Sequence, residues 1–207
     1  MRLTIDIQLQ ILGEKLLNGK IGSVVAIEPA TGEILAMVTN PSYDPSLLVG
    51  RERSQNYRML VNDKTKPLMN RATQAQYSPG STFKMIQALV ALQNGAITEN
   101  TLFSCNGTTS QPIRCSHAHG SPVSLLNAIQ QSCNPYFWHT FRLTVEQNGY
   151  GPRNANFKNN FQNWVDAMHL FGFGRRFEDS DVYEQSRGNI PTQRYFNRFL
   201  EKQDGEL

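Results

Sequence analysis

The hydrophobic positions fall into two kinds of run. Residues 23–29 (SVVAIEP) and 33–39 (EILAMVT) are apolar and often β-branched, and Ala30-Thr31-Gly32 separates them. That pattern predicts a β-hairpin with both faces of its strands covered. Elsewhere the spacing is helical. Leu9, Leu12 and Leu16 form a stripe within residues 3–19, with Thr4 and Asp6 as cap candidates and Asn18-Gly19 as the stop. Phe83, Met85, Ile86, Leu89, Val90 and Leu92 mark a second helix, closed by Asn94-Gly95. Val123, Leu125, Leu126 and Ile129 give a third, for which Ser121-Pro122 reads as cap and first position. Pro135 predicts a break after Ser132-Cys133-Asn134, followed by an aromatic-rich helix from Tyr136 to about Gln147. Trp164, Met168 and Leu170 point to another helix ending at Gly172, and a last one is expected from Thr192 to Lys202. Residues 40–77 carry the breakers Pro41, Pro45 and Pro67 and read as irregular apart from a short helix around 52–61. Residues 96–121 read as a long polar connection, and the asparagine-rich stretch 147–160 as an exposed loop. The whole is an α/β pattern of antiparallel strands plus a helical part, without repeats.

Composition narrows the class. The chain of 207 residues has room for one sizeable core or for part of a larger domain. With 39% hydrophobic and 18% charged residues it is globular rather than disordered. The net charge of +3 comes from scattered basic residues, so no nucleic-acid surface is expected. No run approaches the roughly 18 to 20 apolar residues of a membrane span. No signal peptide is visible, which leaves a cytoplasmic protein or one whose targeting segment has been cut away.

The chemistry concentrates in Tyr77-Ser78-Pro79-Gly80-Ser81-Thr82-Phe83-Lys84. A Pro-Gly turn delivers Ser81 to the first turn of a helix, and Lys84 follows one turn later on the same face. A serine needs a base within hydrogen-bond reach, and a lysine kept neutral by burial or nearby charge can serve. The helix N-terminus adds positive field and free amides suited to an oxyanion. Taken alone, Ser-x-x-Lys is far more often a helix start with a solvated lysine than a catalytic pair. Ser132 and Asn134 alter that balance. A second hydroxyl can pass a proton between lysine and leaving amine, and a carboxamide can bind a substrate peptide.

These residues resemble the transpeptidase domain of class B penicillin-binding proteins, of the elongation type. The resemblance runs through Thr4-Ile-Asp-Ile-Gln-Leu-Gln10, residues 23–36, Pro41-Ser-Tyr-Asp-Pro45 and Asn70-Arg-Ala72, then Tyr77 to Lys84, Ser132-Cys-Asn134 and Arg187-Gly-Asn-Ile-Pro191. It implies a partial penicillin-binding-protein or serine β-lactamase-like fold. By it, Ser81 matches the acylated serine, Lys84 its general base, and Ser132 and Asn134 the Ser-x-Asn motif. The implied activity is peptidoglycan D,D-transpeptidation in cell-wall elongation, with no cofactor for catalysis. The implied partners are stem peptides, β-lactam antibiotics and a membrane glycosyltransferase. The implied location is the cytoplasmic membrane, with the catalytic domain on its outer face. The family's third motif, Lys-Ser/Thr-Gly, does not occur in 1–207, and Lys64-Thr65-Lys66 precedes the serine and lacks the glycine. Residues 1–207 are therefore expected to be the N-terminal part of a transpeptidase domain and catalytically poor by themselves. The pedestal and membrane anchor would lie outside them. Serine β-lactamases and β-lactam sensors share Ser-x-x-Lys, but no Glu-x-x-x-Asn follows Ser132 to match the class A water-activating base, and Asn134 is not the class D valine. A non-catalytic binding module is the third reading.

Cys105, Cys115 and Cys133 are an odd set, so complete internal pairing is excluded. With His119 they offer three thiolates and an imidazole, the donor set of a closed structural zinc site. His117 is the alternative imidazole. A Cys105–Cys115 disulfide with Cys133 free, which the implied extracytoplasmic location permits, and three unlinked thiols are the other readings.

Overall fold

The two β-branched runs pair as an antiparallel hairpin. β1 (Gly22–Ile27) meets β2 (Ile34–Asn40), from Gly22 opposite Asn40 to Ile27 opposite Ile34, with an irregularity after Ala26. The computed structural model describes residues 3–151, 154–178 and 182–192, so part of the helix expected over 192–202 lies outside the described residues. The chain divides into two units, Met1–Gln76 with Arg176–Gly188 and Tyr77–Arg175 with Asn189–Leu207.

In the first unit, α1 (Ile7–Leu17) follows the free edge of β2. Asp6 is its N-cap, accepting from the N–H groups of Gln8 and Leu9 at 2.9 and 3.1 Å. Thr4, the other cap candidate, instead donates its hydroxyl to the Ile34 carbonyl at 2.7 Å. Gln10 bonds both backbone groups of Met37, at 2.9 and 3.1 Å, and so satisfies a strand edge with a side chain. The face of α1 that is buried centres on Gly13, while Leu12 and Leu16 are 50% and 61% exposed. A Cβ at position 13 would stand 2.8 Å from Val38 Cγ2, so the helix approaches the strand where a side chain is missing. The expected cover on both faces of the hairpin is absent within this unit: β2 buries Ala36 and Val38, but Val24, Val25 and Ile27 of β1 are 40–56% exposed.

The proline-broken stretch that follows holds a short 3-10 turn (Pro45–Leu48), α2 (Arg53–Asn62) and α3 (Arg71–Gln74). Arg71 is buried, and its guanidinium donates to the carbonyls of Thr65, Lys66 and Pro41. Its own N–H donates to the Thr39 hydroxyl at 2.9 Å. A buried arginine with carbonyl partners anchors this turn region to β2.

The second unit is helical: α4 (Phe83–Gln93), α5 (Leu125–Gln130), α6 (Asn134–Glu146) and α7 (Ala155–Leu170). α4 packs on two clusters. Ala88 and Ala91 join Val123, Leu125, Ala128 and Tyr136, while Val90 joins Phe161, Trp164 and Met168. Its third face stays open, with Met85 and Leu89 about half exposed, so the helix is less buried than its apolar content predicts.

Three expected boundaries move. α5 begins at Leu125, not at Pro122, because Ser121 Oγ is occupied by the Cys105 N–H at 3.1 Å and Val123 pairs with Phe103 in a β-bridge. α6 begins at Asn134, since a first helical turn tolerates Pro135. α7 begins at Ala155 inside the stretch expected as loop, because Asn154 accepts from the N–H groups of Asn156 and Phe157 as its cap. Among the described residues no helix is long and apolar enough to cross a membrane.

Candidate active site

Gly80 has a φ of 63°, a backbone region that disfavours residues with a Cβ. It opens the 3-10 turn Gly80–Thr82, which runs directly into α4. Ser81 is thus exposed in a tight first turn rather than in regular α-helix. Lys84 points inward and donates to three acceptors: the Ser132 carbonyl at 2.6 Å, Ser132 Oγ at 2.9 Å and Asn134 Oδ1 at 2.6 Å. Ser132 Oγ in turn lies 2.8 Å from Ser81 Oγ. The structure therefore brings Ser81, Lys84, Ser132 and Asn134 together, with Ser132 between the other hydroxyl and the amine. Burial holds the Lys84 amine below its ordinary value of 10.5, against the pull of the nearby Cys115 and Cys133.

The turn that presents Ser132 is a helix ending. The Cys133 N–H reaches back to the Ala128 carbonyl at 2.8 Å, and the Ser132 N–H to Ile129 at 3.1 Å. This is the Schellman pattern, and Ser132 fills its left-handed position at φ 50° where glycine is usual. α6 starts two residues later. The reversal between α5 and α6 lifts the Ser132 hydroxyl and the Asn134 carboxamide onto the Lys84 ammonium.

Behind this turn, the donor atoms of Cys105, Cys115, His119 and Cys133 all lie within 4.8 Å of one another. The Cys105 and Cys115 sulfurs are 3.8 Å apart, which excludes the disulfide in this structure. His119 Nε2 is 3.5 Å from Cys105 Sγ and 3.3 Å from Cys115 Sγ. A tetrahedral zinc with bonds of about 2.3 Å to sulfur and about 2.0 Å to nitrogen has edges of about 3.8 Å and about 3.5 Å. Each sulfur also accepts one backbone N–H: Gly107 to Cys105 at 3.4 Å, Asn134 to Cys115 at 3.3 Å, and Tyr136 to Cys133 at 3.5 Å. His119 Nδ1 sits 3.0 Å from the Gly120 carbonyl. That nitrogen must carry the proton, leaving Nε2 with a free lone pair toward the sulfurs. His117 is exposed and bonds Ser116 instead. Burial pushes the Cys133 thiol up to about 12. For Cys105 burial also raises, but hydrogen bonds from Ser110, the Gly107 N–H and the neighbouring thiols outweigh it and leave the group below its ordinary value.

A cleft of about 240 Å³ opens beside Lys84, walled by Gly80, Phe83, Gln87, Phe137, Phe141 and Trp164. None of the described residues that line it is a carboxylate. Gln87 is buried there, accepting from Trp164 Nε1 at 2.9 Å. The sequence reading missed this link. A glutamine inside an otherwise apolar helical stripe was the available signal. His139 stacks on Phe103 and His169 bonds the Phe173 carbonyl, so neither joins the site.

This geometry coincides with a family. Residues 22–203 match the model of the penicillin binding protein transpeptidase domain, and the chain belongs to that family. Within it, the similarity runs to the class B, MrdA or PBP2 type. The chain is 32% identical over 208 residues to the peptidoglycan D,D-transpeptidase MrdA of Escherichia coli, covering 97% of this chain and 30% of that protein. Against Pseudomonas aeruginosa PBP2 in complex with WCK 5153 the TM-score is 0.72 at 30% identity, covering 96% of this chain and 43% of the other. Against the penicillin G acyl-enzyme complex of penicillin-binding protein A from M. tuberculosis it is 0.63 at 29% identity, covering 92% and 44%. The chain thus spans under a third of the curated relative.

Proposed function

We propose that the protein is a serine D,D-transpeptidase that cross-links peptidoglycan stem peptides, and that residues 1–207 are the N-terminal part of its catalytic domain. The observation that carries this reading is the contact series Ser81–Ser132–Lys84, completed by Asn134. Ser81 Oγ attacks the carbonyl carbon of the penultimate D-alanine. Its proton passes through Ser132 Oγ to the neutral Lys84 amine. Breaking the C–N bond releases the terminal D-alanine, whose amine takes a proton back along the same route. The amine of a second stem peptide then attacks the Ser81 ester. The C–O bond to Ser81 breaks, the amine's proton returns to Ser81 Oγ by way of Lys84 and Ser132, and the new amide is the cross-link. Asn134 aligns the donor peptide. The reaction draws on the protein's own side chains and backbone amides and is expected to need no cofactor.

β-Lactams are expected to acylate Ser81; penicillin-binding protein A from M. tuberculosis, which this chain resembles, forms a penicillin G acyl-enzyme complex. The expected setting is the extracytoplasmic face of the cytoplasmic membrane, with a membrane glycosyltransferase as partner and cell elongation as the process served.

We also propose a structural zinc held by Cys105, Cys115, His119 and Cys133. Its support is that the three spacings among Cys105, Cys115 and His119 match tetrahedral edges, with Cys133 Sγ within 4.8 Å of all three and one backbone N–H on each sulfur. It would pin the 96–121 connection to the turn that carries Ser132.

The test is labelling of the full-length protein with a fluorescent penicillin, beside Ser81→Ala and a nitrocefin assay. A stable adduct on wild type, absent from the variant, is expected. Fast nitrocefin turnover would mean a β-lactamase, and no adduct at all a binding module. Residues 1–207 alone, which lack a Lys-Ser/Thr-Gly motif, should label more slowly than the full-length protein.

A further inference from the structure

The Asn134 carboxamide is held from two sides. Lys84 Nζ lies 2.6 Å from Oδ1, and Nδ2 lies 3.0 Å from the carbonyl oxygen of Arg114. An ammonium only donates and a carbonyl only accepts, so both contacts independently dictate which end of the amide faces which way. A flipped amide would set N–H against N–H and oxygen against oxygen. One residue further, the Asn134 backbone N–H donates to Cys115 Sγ at 3.3 Å. As the first residue of α6, Asn134 has no partner for that N–H within its own helix. Two successive residues of the 105–120 loop therefore fix one residue of the catalytic turn, at both backbone and side chain. The loop segment is itself tied down, since the Cys115 N–H donates to the Gly107 carbonyl at 3.1 Å.

We propose that Arg114 and Cys115 form a positioning clamp on Asn134. The Arg114 carbonyl sets the amide's orientation toward Lys84, and the Cys115 sulfur sets the start of α6. Cys115 thus acts in the acylation step through Asn134, separately from any role as a metal ligand. The inference rests on the transpeptidase reading above.

The test separates the two roles by pairing serine and alanine at the same position. Cys115→Ser keeps an acceptor atom for the Asn134 N–H, and Cys115→Ala does not, while both lose the thiolate. The full-length protein is labelled with fluorescent penicillin, resolving the acylation step from initial binding, and zinc content is measured alongside. Cys115→Ser should acylate about tenfold faster than Cys115→Ala, in the acylation step rather than in binding. Cys105→Ser and Cys105→Ala, whose sulfur does not touch Asn134, should equal one another. Equal rates for the two Cys115 variants would overturn the clamp while leaving the enzyme reading intact. A wild type that does not label would overturn both. Should the Cys115 variants fail to fold, hydrogen–deuterium exchange on the wild type decides. A protected Asn134 amide supports the clamp, and exchange at the solvent rate refutes it.

Discussion

Ser132 occupies a backbone region that serine avoids, with φ at 50°. A left-handed non-glycine residue costs on the order of 1 kcal/mol, and here the cost sits on the hydroxyl between Ser81 and Lys84. Two variants separate stability from chemistry. Both Ser132→Ala and Ser132→Gly should lose penicillin acylation by about a hundredfold or more, since each removes the proton relay. In thermal melts, Ser132→Gly should be the more stable of the two by up to about 1 kcal/mol, because only glycine relieves the backbone. Equal melting points, or an active glycine variant, would contradict this account. Lys84 supplies a second prediction. If its neutral amine is the base, as proposed, acylation should rise with pH as the ammonium deprotonates. Burial places that inflection below the ordinary 10.5, and a pH–rate profile inflecting at or above 10.5 would refute the role. At this scale the sequence was informative: the four residues that the structure brings together were named from their types, their turn contexts and the family resemblance. The left-handed Ser132 was not, because a Schellman ending normally shows a glycine and this one shows serine.

The elements were legible where apolar spacing was strong and obscured where a polar side chain did unusual work. The hairpin and α4 form where their patterns predict, although both are less covered than those patterns imply. The start of α7 was hidden because asparagines look like loop residues. In the structure they bond the preceding chain, Asn156 to the Asn148 carbonyl and Asn160 to that of Gln147, both at 2.7 Å. The start of α5 was misplaced because Ser121, which resembles a cap, serves Cys105 instead. α1 was read by its leucines, yet its packing is set by Gly13. A methyl group there gains helix propensity of up to about 1 kcal/mol but meets Val38 at 2.8 Å. Val38 is 2% exposed and stiff at χ1, so relief must come from the backbone. Overpacking of this kind costs about 1 to 3 kcal/mol. Gly13→Ala is therefore expected to lower the melting temperature, where an exposed helical glycine would raise it. An unchanged or higher value would show that α1 can shift on β2.

For the molecule as a whole, what the sequence could offer was candidates, and what it could not offer was convergence. Three cysteines and two histidines within 29 positions made a metal site conceivable, with His119 preferred on loop length and His117 as the alternative. Tertiary placement separates the two, with one imidazole turned to the sulfurs and the other to solvent. If zinc sits there, removing it with a chelator should lower both the melting temperature and the acylation rate, and added zinc should restore both. Without the metal, the Cys133 thiol, pushed up to about 12, stays protonated at neutral pH, so stripping the ion should also take up protons. Metal analysis that finds no zinc in freshly purified protein would rule the site out. The Lys84 contacts carry a consequence for how activity is acquired in time. The lysine and its partners in the Ser132 turn are 48 to 50 residues apart in the chain. Closing a loop of that length precedes any reward from the contact, so such pairings tend to form late in folding. During refolding from denaturant, helical signal should therefore recover first and penicillin reactivity last, which makes the antibiotic itself a stopwatch for the final step of assembly.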